Sequence, residues 1–95
     1  MTLRVRPEAQ RQIRAAALWY EARQRGLGIR FLDEIDRLLD RIAESPAQFP
    51  LISEDVRRGF AHTFPFGAYF VIIGNSVVIL AVLHMRRRPR DWKRR

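Results

Sequence analysis

The sequence predicts an α/β protein of the α+β kind, with elements in the order β-α-α-β-β-β. Three observations carry that prediction. Two stretches of helical apolar spacing are separated only by Gly26-Leu27-Gly28, which reads as an antiparallel αα-hairpin. Two long apolar runs, Phe64 to Ile73 and Val77 to His84, flank Gly74-Asn75; both turn residues accept positive φ, so the pair reads as a β-hairpin. A short alternating segment, Thr2 to Arg6, precedes everything else. The helices would form one layer and a small, mostly antiparallel sheet the other.

Each element has its own local reason. Leu3 and Val5 point one way in an extended segment, as in a short strand. Pro7 and Glu8 suit a helix start, because proline tolerates the first turn and an acid there complements the dipole. Ala9, Ile13, Ala16, Ala17 and Tyr20 then share one face, and Arg23, Arg25 and Gly26 suit the end. In the second helix Phe31, Leu32, Ile35, Leu38, Leu39 and Ile42 form an apolar stripe, and Ser45-Pro46 stops it. Residues 47–55 read as irregular, with Phe49-Pro50 packing back on the body. Val56 to Phe64 alternates as one strand, broken near Gly59. Val77 to Leu83 is apolar on both faces and is expected to be central or covered on both sides.

Composition narrows the function. A chain of 95 residues, 47% of them hydrophobic, suits a single domain, 1–95, with one modest core. No apolar run reaches the about 20 residues of a spanning helix, so no membrane integration is expected. The N-terminus lacks the apolar centre of a signal peptide, and a cytoplasmic location is expected. The absence of cysteine excludes disulfides, thiolate nucleophiles and cysteine-based zinc sites. His62 and His84 lie far apart without metal spacing, and Gly26-Leu27-Gly28 does not follow a strand, so neither metal nor nucleotide cofactor is expected.

The net charge of +8 implies an acidic partner. Of the 18 cations only Lys93 is a lysine. Arginine suits planar recognition of phosphate or carboxylate. The cations crowd the end of the chain, where seven of the last ten residues are basic. Arg57, Arg58, His84 and Tyr69 are candidates for display on the open sheet face. Trp92, amid the terminal cations, either anchors that segment onto the body or stacks on a base.

Taken in order, Trp19-Tyr20, Gly28 with Phe31-Leu32, Ile42 through Pro46, Pro50, Arg57-Arg58, Phe64-Pro65-Phe66 with Tyr69, and Val82-Leu83-His84 with Arg86-Arg87, Pro89, Trp92 and Arg95 form a recognisable series. Through them nearly the whole chain resembles the RelE/ParE superfamily of toxins from type II toxin–antitoxin pairs, and it looks closer to the ParE branch. That resemblance implies a toxin held inactive in a hetero-oligomer with a cognate, ParD-like antitoxin whose toxin-binding segment is acidic. It implies DNA gyrase, and so DNA replication, as the target. The alternative within the superfamily is a RelE-like, ribosome-dependent messenger-RNA endonuclease.

The residues expected to face the target are Arg57, Arg58, His84, Arg86, Arg87 and Arg88. Those expected to receive the antitoxin, in an apolar groove between the helices, are Trp19, Tyr20, Phe31, Ile35, Leu38, Leu39 and Ile42. No catalytic residue is expected of a ParE-like inhibitor. A ribonuclease would have to work with His84 as acid or base and with Arg58 and Arg86 stabilising charge. The late tyrosine and mid-sheet lysine of RelE-like enzymes are missing. Arginine stays protonated and is a poor base. A lone histidine ending a buried strand is more readily read as a packing residue than as a catalyst.

Overall fold

Proline at the first helical position and glycine at the interhelical turn set the bounds of the two helices. In the computed structural model, which describes residues 1–86, β1 (Thr2–Val5) leads into α1 (Pro7–Arg23). The turn to α2 (Leu27–Glu44) passes through Gly26 at φ 88°, a left-handed conformation that glycine adopts without strain. Both carboxylate oxygens of Glu21 accept the Gly26 N–H, at 3.1 and 3.0 Å, and Oε1 also accepts the Gly28 N–H at 3.0 Å. An acidic side chain thus satisfies free donors at the start of α2, where the helix dipole favours negative charge.

Gly28 sits in the first turn of α2 rather than in the loop. A Cβ there would lie 2.6 Å from the Ala17 carbonyl oxygen, so the absence of a side chain sets how closely the helices approach.

A single 3-10 turn (Pro46–Gln48) follows α2, then β2 (Leu51–Ser53), β3 (Val56–Phe60), β4 (Phe66–Ile73) and β5 (Ser76–His84). The five-stranded sheet runs β1-β5-β4-β3-β2, antiparallel except for the parallel β1–β5 pair. β2 corrects the reading of residues 47–55 as wholly irregular. It escapes periodicity because it is three residues long and pairs with β3 through a register shift. At the β4–β5 turn only Gly74 takes positive φ, 59°, while Asn75 does not. This pattern is that of a II′ turn, whose twist suits a hairpin.

The core lies between the helices and one sheet face. Phe31, Ile35, Leu38 and Ile42 of α2 are at most 1% exposed and pack with Phe66, Ala68, Phe70, Val77, Ile79 and Val82. Phe49 folds back as expected. Its ring lies 5.8 Å from that of Phe70 and covers Gly59, where a Cβ would meet it at 2.7 Å. Glu34, buried at the same interface, accepts the N–H groups of Thr63 (2.7 Å) and Phe64 (2.9 Å), which fixes the approach to β4. Burial pushes its carboxyl up, but these hydrogen bonds outweigh burial and hold it below the ordinary carboxylate value.

Candidate functional site

Two grooves flank α1, and both follow from a helix whose apolar residues do not share one side. Ala9, Ile13, Ala17 and Tyr20 pack inward, whereas Leu18 is 65% and Trp19 53% exposed. A helix with apolar groups on its outer side leaves surface for a partner.

The first groove lies between α1 and the C-terminal half of β5. β1 pairs with β5 only from Ser76 to Ile79. Beyond Ile79 that strand edge meets no other strand among the described residues. Gln12 Oε1 accepts the Val82 N–H at 2.8 Å, so a side chain satisfies one edge donor. Gln12, Trp19, Phe66, Val82 and His84 line a cleft of about 500 Å³, with Glu8 and Arg11 adding opposite charges. Ring contacts run through its floor. Trp19 meets Tyr20 edge-on at 5.1 Å, Tyr20 lies 6.2 Å from Phe66, and Phe66 lies 5.3 Å from His84. The Arg23 guanidinium covers the Trp19 ring at 3.6 Å.

The second groove, of about 470 Å³, lies between α1 and α2 and includes Ile13, Leu18, Leu32 and Leu39. Leu18 and Trp19, neighbours in sequence, therefore open onto different grooves.

The expected target-facing residues do not form one cluster. Arg57 lies on the helix side of β3, where its Nη1 donates to the carbonyls of Phe49 (2.6 Å) and Ala47 (3.2 Å). Its display on the open sheet face is thereby corrected: alternation along β3 turns it inward, and the loop carbonyls hold it. Arg58 lies on the opposite face, its guanidinium 4.6 Å from the Phe60 ring centre and 6.0 Å from that of Tyr69. His84 ends β5 on the helix side against Phe66, and its Nδ1 accepts the Arg86 N–H at 3.1 Å. With Nδ1 as acceptor, the neutral ring carries its proton on Nε2. Arg87, Arg88 and Trp92 lie outside the described residues.

The sheet thus separates Arg58 from His84, and the ribonuclease set of His84, Arg58 and Arg86 does not converge on one point. Among the described residues no group of three or more histidine, aspartate or glutamate side chains is placed to hold a metal ion.

The sequence model of the family described as the ParE toxin of type II toxin-antitoxin systems, parDE, matches residues 3–89. The chain belongs to the ParE toxin family. It is a type II toxin, and both the superfamily and the branch indicated by its sequence hold. A solved structure of a chromosomal ParDE TA system from P. aeruginosa matches with a TM-score of 0.77, covering 88% of this chain and 95% of that one. Identity is 20%, so the likeness is one of fold. No curated protein matches at a significant level. No helix among the described residues of the toxin is long and apolar enough to cross a membrane.

The toxin's apolar stripe on α2 requires a second correction. Phe31, Ile35, Leu38 and Ile42 are at most 1% exposed, packed against the sheet, and offer no surface to a partner. Tyr20 is half-buried among Phe31, Phe64 and Phe66, and burial pushes its phenol above the ordinary value. Of the seven residues expected to receive the antitoxin, Trp19 and Leu39 line the grooves. Sequence reasoning missed Gln12, Arg11 and Leu18. The available signals were an amide on the inner side of an alanine-rich helix and a leucine beside Trp19 off the inward face.

Proposed function

We propose that this ParE-family toxin inhibits DNA gyrase in the cytoplasm and is neutralised in a hetero-oligomer by a ParD-like antitoxin seated across α1. The placement of His84 and Arg58 on opposite sides of the sheet carries the choice of inhibition over catalysis. Transphosphorylation of RNA needs a base, a charge stabiliser and an acid around one phosphate. Inhibition of a protein target needs only a rigid, charged surface.

The solved relative is a ParDE system, which supports partnership with an antitoxin. The exposed Leu18 and Trp19 supply two apolar anchor points, and the adjoining grooves fit an amphipathic or extended segment. Arg11, Arg14 and Arg23 border this surface, which suits an acidic partner.

Inducing the toxin alone in a bacterial host, with pulse labelling of DNA and protein synthesis, tests the target. DNA synthesis failing first is the expected result. Protein synthesis failing first, with transcripts cut at ribosomal A sites, would replace gyrase by the ribosome.

A further inference from the structure

The helical hairpin carries a charge balance unlike that of the rest of the chain. Residues 7–44 contain seven arginines and seven acids, so they are neutral and the net charge of +8 lies wholly outside them. Within the hairpin the helices differ in sign. α1 has three arginines and two acids, and α2 has three arginines and five acids. Like charge keeps copies of a strongly basic protein apart. On the hairpin two copies of this toxin can meet without that penalty, and α1 of one copy attracts α2 of the other.

The same hairpin leaves apolar side chains uncovered along the groove between its helices. Leu18 of α1 is exposed, and Ile29 of α2 is 63% exposed. Ile29 lies one turn before Leu32, which lines the groove together with Leu18. Arg14 stands one turn before Leu18, and Asp36 one turn after Leu32, so opposite charges border the two sides of the groove. Both are exposed, and among the described residues neither is tied into a hydrogen bond or ion pair.

We infer that this groove takes a second copy of the chain, with the two hairpins packed face to face about a twofold axis. Such a contact is isologous, so each residue pair occurs twice. Leu18, Ile29 and Leu32 of each copy cover those of the other, and this burial supplies the affinity. Arg14 of each copy faces Asp36 of the other. These pairs set the register more than the strength, because exposed ion pairs contribute little. A uniformly acidic segment in this groove would gain at Arg14 and lose at Asp36, whereas a second copy gains at both.

The cleft beside β5 stays open in such a dimer, because Trp19 lines that cleft and not the groove between the helices. An antitoxin that engages Leu18 displaces the second copy. One confined to the Trp19 cleft does not. This consequence rests on the function proposed above; the self-association does not.

Sedimentation equilibrium of the full chain, purified free of antitoxin, measures its mass over a range of concentrations. The mass is expected to rise toward twice the 11.2 kDa of one chain. The mass of one chain at every concentration would overturn the proposal.

Charge exchange then locates the contact. Arg14→Asp and Asp36→Arg each set like charges against each other twice across the axis. Each variant alone is expected to keep the mass of one chain at concentrations where the parent is dimeric. In an equal mixture of the two variants, every like pair across the axis becomes an opposite pair, and the dimer is expected to return. An ion pair within one chain could not be repaired in this way. Variants that dimerise as tightly as the parent, or a mixture that keeps the mass of one chain, would sink the idea. Leu18→Glu, which puts a carboxylate from each copy into the apolar contact, is expected to abolish the dimer, and a dimer of undiminished strength would place the interface elsewhere. All three positions are exposed, so far-ultraviolet circular dichroism should match the parent. None of these readouts depends on toxicity or on the identity of the target.

Discussion

Arg57 donates from Nη1 to the Phe49 carbonyl at 2.6 Å, while its neighbour Arg58 lies across the sheet, stacked toward Phe60 and Tyr69. Strand alternation divides the pair between a structural and a surface role. Arg57→Ala should destabilise the fold by about 1–2 kcal/mol, because two loop carbonyls lose a charged donor. Among the described residues the buried Nε of Arg58 has no hydrogen-bond partner. Arg58→Ala should therefore change stability by less than about 1 kcal/mol while weakening growth inhibition. Urea titrations beside toxicity assays check both, and equal stability losses would erase the distinction.

Trp19 and Leu38 allow the proposed partner contact to be tested apart from core packing. Trp19 is 53% exposed and Leu38 is fully buried. Trp19→Ala should leave stability within about 1 kcal/mol of the parent, yet weaken antitoxin binding by roughly 30-fold, or about 2 kcal/mol. Leu38→Ala should cost about 2–5 kcal/mol through the cavity it leaves. Calorimetric titration with the antitoxin and thermal melts distinguish the two. Full affinity in Trp19→Ala would remove the cleft beside β5 from the antitoxin seat.

Gly28→Ala should destabilise, against ordinary helix propensity. Alanine normally gains about 1 kcal/mol over glycine within a helix. Here its Cβ would meet the Ala17 carbonyl oxygen at 2.6 Å, a backbone atom that cannot swing away. Separating the helices should cost about 1–3 kcal/mol net, read from the urea midpoint. A stabilised variant would show that the helix pair tolerates a wider spacing.

Glu34 makes stability depend on acid. Its folded carboxyl lies below the ordinary value of 4.5, since hydrogen bonds from Phe64 and Thr63 outweigh the effect of burial. A depressed folded value means that the stabilisation is complete above the unfolded value and is lost as pH falls through the folded one. Melting temperature should therefore drop on acidification below about pH 4.5. Glu34→Gln should start about 1–3 kcal/mol less stable and show a flatter acid limb. Identical acid limbs in the two proteins would assign the acid sensitivity to other carboxylates.

Much of the architecture was legible because periodicity reports burial directly. The α2 stripe, the Gly74-Asn75 hairpin and the inward return of Phe49 all follow from local residue types. What a stripe faces is not local information. Phe31, Ile35, Leu38 and Ile42 look the same whether they meet a sheet or a partner, and the sheet claims them. Likewise Arg57-Arg58 reads as one basic pair until the strand places the two on opposite faces. Gln12 gave no periodic signal, because its role depends on β1 stopping short of Val82. The family was legible for a different reason: it rests on the order of many weak marks along nearly the whole chain.

The most direct test of gyrase inhibition is a plasmid supercoiling assay with purified gyrase, the toxin, and the toxin premixed with its antitoxin. The expected result is loss of supercoiling with toxin alone, full recovery with the complex, and little change in potency for His84→Ala. Unimpaired supercoiling at toxin concentrations that arrest growth, together with ribosome-dependent transcript cleavage abolished by His84→Ala, would contradict it.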